Sequence, residues 1–224
     1  MDTSQAFPPQ NLNATRQHVN SVAFSPDGRS LASAHSDGIV HIRDAATGES
    51  LQEFKEYTGT VQSVAFPPDG RRLASGLHDG MVDVQDAVTG VRLRQLNEHT
   101  IWVMTVAFSA DGSHLASGSG DGIVRVWDTA TGVCIKELRH NIVVLSVAFT
   151  PDGHYLASAT ASNTTLRPRT AIHVWDFAKG SPVTQKKLQY SPYIPYISFS
   201  ADGSVLSVEY TRGPPVELHF PTWN

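Results

Sequence analysis

The stretch SVAFSPDGRSLASAHSDGIVHIRDAATG, residues 21–48, recurs along the whole chain. Close copies are SVAFPPDGRRLASGLHDGMVDVQDAVTG at 63–90 and TVAFSADGSHLASGSGDGIVRVWDTATG at 105–132, and shorter copies begin at Ser146 and Ile197. The first Asp-Gly of each copy falls at Asp27, Asp69, Asp111, Asp152 and Asp202, so the successive steps are 42, 42, 41 and 50 residues. A nearly fixed period of this length is typical of repeat architectures. Five copies fill the chain.

Each copy contains the pattern of short strands separated by tight turns. An apolar SVAF strand is followed by an Asp-Gly turn, and a second strand, LASA or LASG, comes next. A loop with another Asp-Gly leads to a third strand, and a Thr-Gly turn leads to a fourth. Asp and Gly favour such turns because Gly adopts positive φ without strain. Four antiparallel strands per repeat are the content of one propeller blade, and the expected fold class is all-β.

Composition and charge narrow the function classes. The chain has 224 residues, of which 40% are hydrophobic and 17% charged, values that favour a folded protein over a disordered one. Its 17 Lys and Arg against 21 Asp and Glu give a net charge of −4, so no basic surplus favours nucleic acid or an anionic membrane as partner. The sequence has a single cysteine, no secretory signal at its start and no membrane-spanning apolar run. We expect a cytoplasmic protein; a nuclear location is also compatible with the sequence.

These repeats closely resemble the WD40 family, whose repeats end in Trp-Asp. That dipeptide stands at 127–128 and 175–176, while Arg43 and Gln85 replace the Trp in the first two copies and the Asp is kept in all four. Successive copies are nearly identical, and in this the chain is most similar to the repeat arrays of NACHT-type signalling NTPases, although the sequence contains no NTPase motif. The resemblance implies a β-propeller of about five four-stranded blades, at about 15–55, 56–97, 98–139, 140–188 and 189–220.

The resemblance also implies a buried polar network in each blade, made of a His before the first strand, a Ser on strand two, an Asp in the following loop and the Trp. The third copy has the complete set: His99, Ser117, Asp121 and Trp127. The other copies keep only parts of it, namely Ser33 and Asp37 in the first, Ser75 and Asp79 in the second, and His140, Ser158 and Trp175 in the fourth.

The same residue types could also form a catalytic triad or a metal site. His, Asp and Ser are also the members of a catalytic triad, but a Ser inside a buried strand cannot reach a substrate carbonyl. The ten histidines scatter over strands and turns, and only His35 and His78 could converge, without a cysteine or carboxylate set beside them. We therefore expect no catalytic residue, no metal and no cofactor.

The family's usual docking surface is the face that carries the loops between strands two and three and between consecutive blades. By position it offers Ser36, Tyr57, Gln62, His78, Trp102 and Met104. Trp102 is the sharpest candidate because Trp is enriched at interface hot spots, although it could instead pack on the neighbouring blade. The lengthened loop at 160–171 adds Arg167 and Arg169, which suit an acidic or phosphorylated peptide or else are simply solvated.

The sequence does not decide whether the blades close into a ring, because its five repeats are fewer than the seven blades usual in WD40 rings. Residues 1–14 could supply a closing strand, which would favour a closed five-bladed ring; an open arc would instead expose apolar blade faces and associate with itself or with a partner. The favoured function is a non-enzymatic scaffold that binds other proteins or peptides. The alternatives are the WD40 region of a larger signalling or sensor protein and, less favoured, a propeller enzyme or metal-binding protein.

Overall fold

A computed structural model describes residues 18–55, 57, 59–161, 170–188, 195–210 and 215–219. The regular structure in these ranges is entirely β, as the sequence predicts, and consists of 19 strands in five antiparallel sheets. None of the described residues belongs to a helix long and apolar enough to cross a membrane. Residues 1–14, predicted as a closing segment, lie outside the described ranges.

Each sheet corresponds to one sequence repeat, and we call the sheets blades 1 to 5 in chain order. Strands pair in sequence order within each blade. Blade 1 contains β1 (Val19–Phe24), β2 (Ser30–His35), β3 (Val40–Asp44) and β4 (Ser50–Phe54). Blade 2 contains β5 (Val61–Ala65), β6 (Arg72–Leu77), β7 (Val82–Asp86) and β8 (Arg92–Leu96).

The remaining blades follow the same order. Blade 3 contains β9 (Val103–Phe108), β10 (His114–Ser119), β11 (Ile123–Asp128) and β12 (Cys134–Arg139). Blade 4 contains β13 (Val143–Phe149), β14 (Tyr155–Ala161), β15 (Thr170–Asp176) and β16 (Ser181–Leu188). Blade 5 has three strands in the described ranges, β17 (Pro195–Phe199), β18 (Val205–Tyr210) and β19 (Val216–His219).

Every full blade contains two turns in which an Asp carboxylate accepts a hydrogen bond from a backbone amide of the turn. At the first hairpin Gly28 has a φ of 70°, and Asp27 Oδ1 accepts the Arg29 amide at 3.0 Å. At the turn after strand three, Asp44 Oδ1 accepts the Thr47 amide at 2.7 Å, and Asp128 makes the same contact with Thr131. This bond explains why the Asp of the Trp-Asp pair is kept when the Trp is lost, because the turn amide would otherwise lack an acceptor.

Consecutive blades pack large side chains on small ones. We call the face of a blade that meets the preceding blade its leading face, and the face that meets the next blade its trailing face. Leading faces carry the Val and Phe of SVAF and the Leu of LAS; trailing faces carry the small residues of LASA or LASG and apolar residues of strand three. Val64 and Leu73 thus pack with Ala32, Ala34 and Ile42 of blade 1. No single blade could bury both faces, so stacking supplies the core.

A second contact joins neighbouring blades at their innermost strands. The hydroxyl of Ser21 accepts the Val64 amide of the next blade at 3.2 Å, and Ser63 accepts the Val106 amide at 3.1 Å. Ser146 accepts the Ile197 amide at 3.2 Å in the same way. The Ser that opens SVAF therefore gives an inward-facing amide its acceptor, and sets the register between blades.

The stack of five blades is an open arc and not a closed ring. On the leading face of blade 1, Val22 is 58% exposed and Phe24 63% exposed, whereas the equivalent Val64 in blade 2 is 5% exposed. No described blade covers this face. The described blades therefore form the open arc, one of the two arrangements compatible with the sequence, and not the closed five-bladed ring.

Removal of the Ser63 hydroxyl tests the bond between blades. We expect Ser63→Ala to lower the free energy of unfolding by about 1–2 kcal/mol, because it leaves the buried Val106 amide without an acceptor. Amide exchange should accelerate at Val106 in particular. Ser50→Ala, on the exposed outer strand, is the control and should change neither the free energy of unfolding nor the exchange rate of Val106. An unchanged exchange rate of the Val106 amide in Ser63→Ala would contradict its hydrogen bond to Ser63.

Candidate binding face and buried polar network

Blade 3 holds a continuous chain of polar side chains across its strands. Trp127 Nε1 donates to Ser117 Oγ at 2.9 Å, and Ser117 Oγ lies 2.8 Å from His99 Nε2. The other ring nitrogen of His99, Nδ1, lies 2.9 Å from Asp121 Oδ2. Strand pairing places Leu115 opposite Trp127, which brings the indole beside Ser117. The structure thus brings together all four residues of the set named from the sequence.

The electrostatics of this chain favour a neutral imidazole beside an ionised carboxylate. Burial lowers the pKa of His99, against the opposing effect of Asp121. Burial also acts to raise the pKa of Asp121, but hydrogen bonds from His99, Thr100 and Arg125 outweigh it, so the net pKa is lowered. The network is therefore held in one protonation state at neutral pH.

Arg125 is a member of this cluster that the sequence reasoning missed. Its guanidinium is buried, 3.1 Å from Asp121 Oδ2 and 3.0 Å from Glu137 Oε1. A signal was available: strand three has a polar residue at this position in each full repeat, namely His41, Asp83, Arg125 and His173, between residues that are otherwise apolar. A recurring polar residue inside a buried strand indicates a partner nearby.

Blade 4 retains a shorter version of the network. Trp175 Nε1 donates to Ser158 Oγ at 3.0 Å, and Ser158 Oγ lies 3.2 Å from His140 Nε2. The His140 ring also meets the His173 ring edge to face, with centroids 4.6 Å apart. Burial and then the neighbouring His173 lower the pKa of His140 to about 4.

Blade 2 replaces the network with a different contact. Tyr57 stands where His99 stands in blade 3, and its hydroxyl donates to Gln85 Oε1 at 2.6 Å, Gln85 being the replacement for Trp. Tyr57 is 8% exposed, so the expectation that it is offered to a partner on the loop face is not met. Ser75 is completely buried, and its hydroxyl has no hydrogen-bond partner among the described residues.

The remaining network candidates of blades 1 and 2 act locally. In blade 1 Ser33 Oγ lies 2.9 Å from His35 Nε2, within the same strand. Asp37 and Asp79 each accept an amide two residues further on, from Ile39 and Met81. These carboxylates fix the loops between strands two and three without reaching a His.

Burial decides between network and triad in blade 3. Ser117 has no exposed surface and His99 is 6% exposed, so a substrate carbonyl cannot approach the hydroxyl. The described residues contain no group of three or more His, Cys, Asp or Glu arranged to hold a metal ion. His35 and His78 do not meet: His35 packs against His41, and His78 packs against Trp102.

The loop face carries a partly exposed aromatic pair, Trp102 and His78. Trp102 is 38% exposed and its ring lies 5.4 Å from that of the exposed His78, on the loop of blade 2. Gly120 lets the indole lie close to its own blade, since a Cβ there would come within 2.1 Å of Trp102 Nε1. Trp102 therefore packs on both neighbouring loops while keeping one surface in solvent.

The other loop-face candidates lie apart from this pair. Gln62 and Met104 are half-buried and line a cavity of about 740 Å³ bordered by the innermost strands. Ser36 is half-buried, and its hydroxyl accepts the His18 amide at 3.2 Å. Arg167 and Arg169 lie outside the described residues.

Ser117→Ala and Ser75→Ala form a matched pair for the network. Loss of the Ser117 hydroxyl removes the hydrogen-bond partner of two buried nitrogens, Trp127 Nε1 and His99 Nε2. We therefore expect the free energy of unfolding to fall by about 2–3 kcal/mol. The same change at Ser75, whose hydroxyl has no partner among the described residues, should cost less than about 0.5 kcal/mol. Chemical denaturation measures both; equal losses would contradict the account.

Acid should destabilise the protein in part through His140. Its pKa is about 4 in the folded chain against an ordinary 6.5, so between these values the unfolded chain takes up a proton that the folded chain does not. The free energy of unfolding therefore falls with pH across this window, by up to about 3 kcal/mol near pH 4.

His140→Gln isolates this contribution. Denaturation at pH 7 and pH 5 should show a smaller loss on acidification for His140→Gln than for the unmodified chain, whatever the variant costs at pH 7. His154→Gln, at an exposed hairpin, serves as the control and should keep the full loss. An unaltered pH dependence in His140→Gln would overturn the assignment.

Family comparison agrees with the repeat architecture. Residues 48–84, 90–128 and 132–167 match the model described as WD domain, G-beta repeat, and together they make up half of the chain. Residues 10–59 match the model described as anaphase-promoting complex subunit 4 WD40 domain. The comparison with curated proteins gave no match. The chain belongs to the WD40 repeat family.

Proposed function

We propose that this protein is a non-enzymatic scaffold whose loop face binds a protein or peptide through Trp102 and His78. WD40 repeats generally mediate protein–protein interactions, and the family is typically non-enzymatic. The observation that supports this particular face is the partly exposed Trp102, held against His78 from the neighbouring blade. A rigid aromatic side chain that still has a free surface loses little entropy on binding.

The surroundings of the pair favour an extended peptide as the ligand. Exposed Ile101 adjoins the indole, and exposed Glu98 and Asp79 lie on the same loops. Carboxylates on the loops that carry this apolar anchor suit a peptide that has one apolar residue and a basic one nearby. Arg167 and Arg169 remain proposed contacts for an acidic or phosphorylated segment. The single Cys134 cannot form an intramolecular disulfide, which is compatible with the proposed cytoplasmic or nuclear location.

An alternative is supported by a different observation. The near-identical repeats and the uncovered leading face of blade 1 also suit one section of a larger signalling or sensor protein, such as those of the NACHT type. In that setting the loop face would still bind a ligand, and the arc would be completed by other blades.

Trp102→Ala tests the loop face. We expect the proteins captured from a cell lysate by the unmodified chain to be retained at least about tenfold less by Trp102→Ala, with an unchanged melting temperature. Val88→Ala is the control, an apolar side chain that is 80% exposed on a turn away from the loop face, and it should retain them.

His78→Ala keeps the test decisive if Trp102→Ala lowers the melting temperature. Because the His78 side chain is exposed, its removal should leave the melting temperature unchanged. Because it contacts Trp102, its removal should weaken capture of the partner proteins. Undiminished capture by both variants would contradict the proposal.

A further inference from the structure

The uncovered leading face of blade 1 differs from every other leading face in the arc. In blades 2, 3 and 4 the first Val of this face, Val64, Val106 or Val147, is 5–6% exposed, because the preceding blade covers it. Val22 occupies the same position in blade 1 and is 58% exposed, next to Phe24 at 63%. Both side chains project from a sheet whose opposite face is fully packed against blade 2.

The chain itself shows what fits such a face. Each interior interface sets the apolar leading face against small residues of strand two, Ala32 and Ala34 in blade 1 or Ala157 and Ala159 in blade 4. Where glycine takes that place the fit is closer still, since a Cβ at Gly118 would come within 2.6 Å of Val144. A larger side chain at these positions would separate the two sheets.

The hydroxyl contact adds a second requirement. Ser21, Ser63 and Ser146 each give an acceptor to an amide of the following blade. The equivalent amide of blade 1 belongs to Val22, and no described blade precedes it. A matching occupant therefore carries Ser or Thr at the same point of its innermost strand.

A second copy of this chain does not meet these requirements. The trailing face of blade 5 has exposed Tyr196 in the position of the Ser, exposed Glu209 in the position of Ala34, and exposed Glu217 in the position of Ile42. Packing this face on blade 1 would bury two carboxylates and would set the Tyr196 ring, in place of a Ser or Thr side chain, against the Val22 amide. The two end faces of the described arc are thus unlike: the trailing face of blade 5 is polar, and the leading face of blade 1 is apolar and is covered by no described blade.

We propose that the leading face of blade 1 binds a β-blade of another protein. The occupant is a four-stranded blade of WD40 type, with Ala or Gly on strand two, an aliphatic residue on strand three and a Ser or Thr on the innermost strand. This surface is separate from the loop face and does not depend on the function proposed for it. The face is accessible at Val22 and Phe24, which are 58% and 63% exposed.

An added blade of known chemistry tests the fit. A copy of residues 98–139 that replaces residues 1–14 places a further blade in front of blade 1, with Thr105, Ala116, Gly118 and Val126 on its trailing face. Phe24→Cys in a Cys134→Ser background reports on the face. We expect alkylation of the thiol to slow at least tenfold in the extended chain and the melting temperature to rise by several degrees.

The matched control carries Gly118→Glu and Val126→Glu in the added copy only, which reproduces the acidic residues of blade 5. It should leave alkylation as fast as in the chain without extension. Equal protection by both extensions, or by neither, would overturn the proposed chemistry of the occupant.

Crosslinking identifies the occupant in the cell. A photoreactive phenylalanine at position 24 of the full chain should join a peptide from a WD40-type blade of another protein, containing the small-residue strand. A crosslink to a second copy of this chain, with sedimentation as a dimer that Phe24→Glu abolishes, would overturn the proposal. So would a crosslink to a peptide that does not come from a β-blade, or no crosslink at all.

Discussion

The structure depends on one interface repeated along the arc, in which the apolar leading face of a blade packs on the small residues of the blade before it. Val64 and Leu73 against Ala32 and Ala34 are the first example, and the serine hydroxyl of the innermost strand completes it. Because both faces of an interior blade are buried in this way, an isolated blade could not form a core. Turns, networks and loop surfaces are all positioned by this stacking.

The polar networks inside the blades are secondary to that packing, and their variation shows it. Blade 3 has the full chain from Trp127 to Asp121, blade 4 a shorter one, and blade 2 only the bond from Tyr57 to Gln85. In blade 5 Val208 and Leu218 take the positions of the Ser and the Trp, and both are buried among apolar side chains. The same buried position is thus a satisfied network in blade 3 and an apolar pair in blade 5, while in blade 2 the Ser75 hydroxyl is buried without a partner among the described residues.

Much of the fold was predictable from the sequence because repetition multiplies weak signals. The Asp-Gly turns, the alternation in SVAF and the 42-residue step place the strands of blades 1 to 4, and the residue types of the blade 3 network could be aligned by position. Exposure was wrongly expected for Tyr57 because of its position in a loop, whereas its ring is buried and its hydroxyl donates to Gln85. Arg125 was missed since its partners Asp121 and Glu137 lie on a loop and on another strand, and strand register decides which side chains meet. The open end could not be decided from repeats alone, because it depends on what packs beyond the first one.

Amide exchange on the unmodified chain tests the central claim most directly, since the amides of the innermost strands report on each interface separately. The account predicts slow exchange at Val64, Val106 and Ile197, whose amides are bonded to a serine of the preceding blade, and fast exchange at Val22, which has no such neighbour among the described residues. Protection of Val22 equal to that of Val64 and Val106 would contradict the open arc and the role given to the interface between blades.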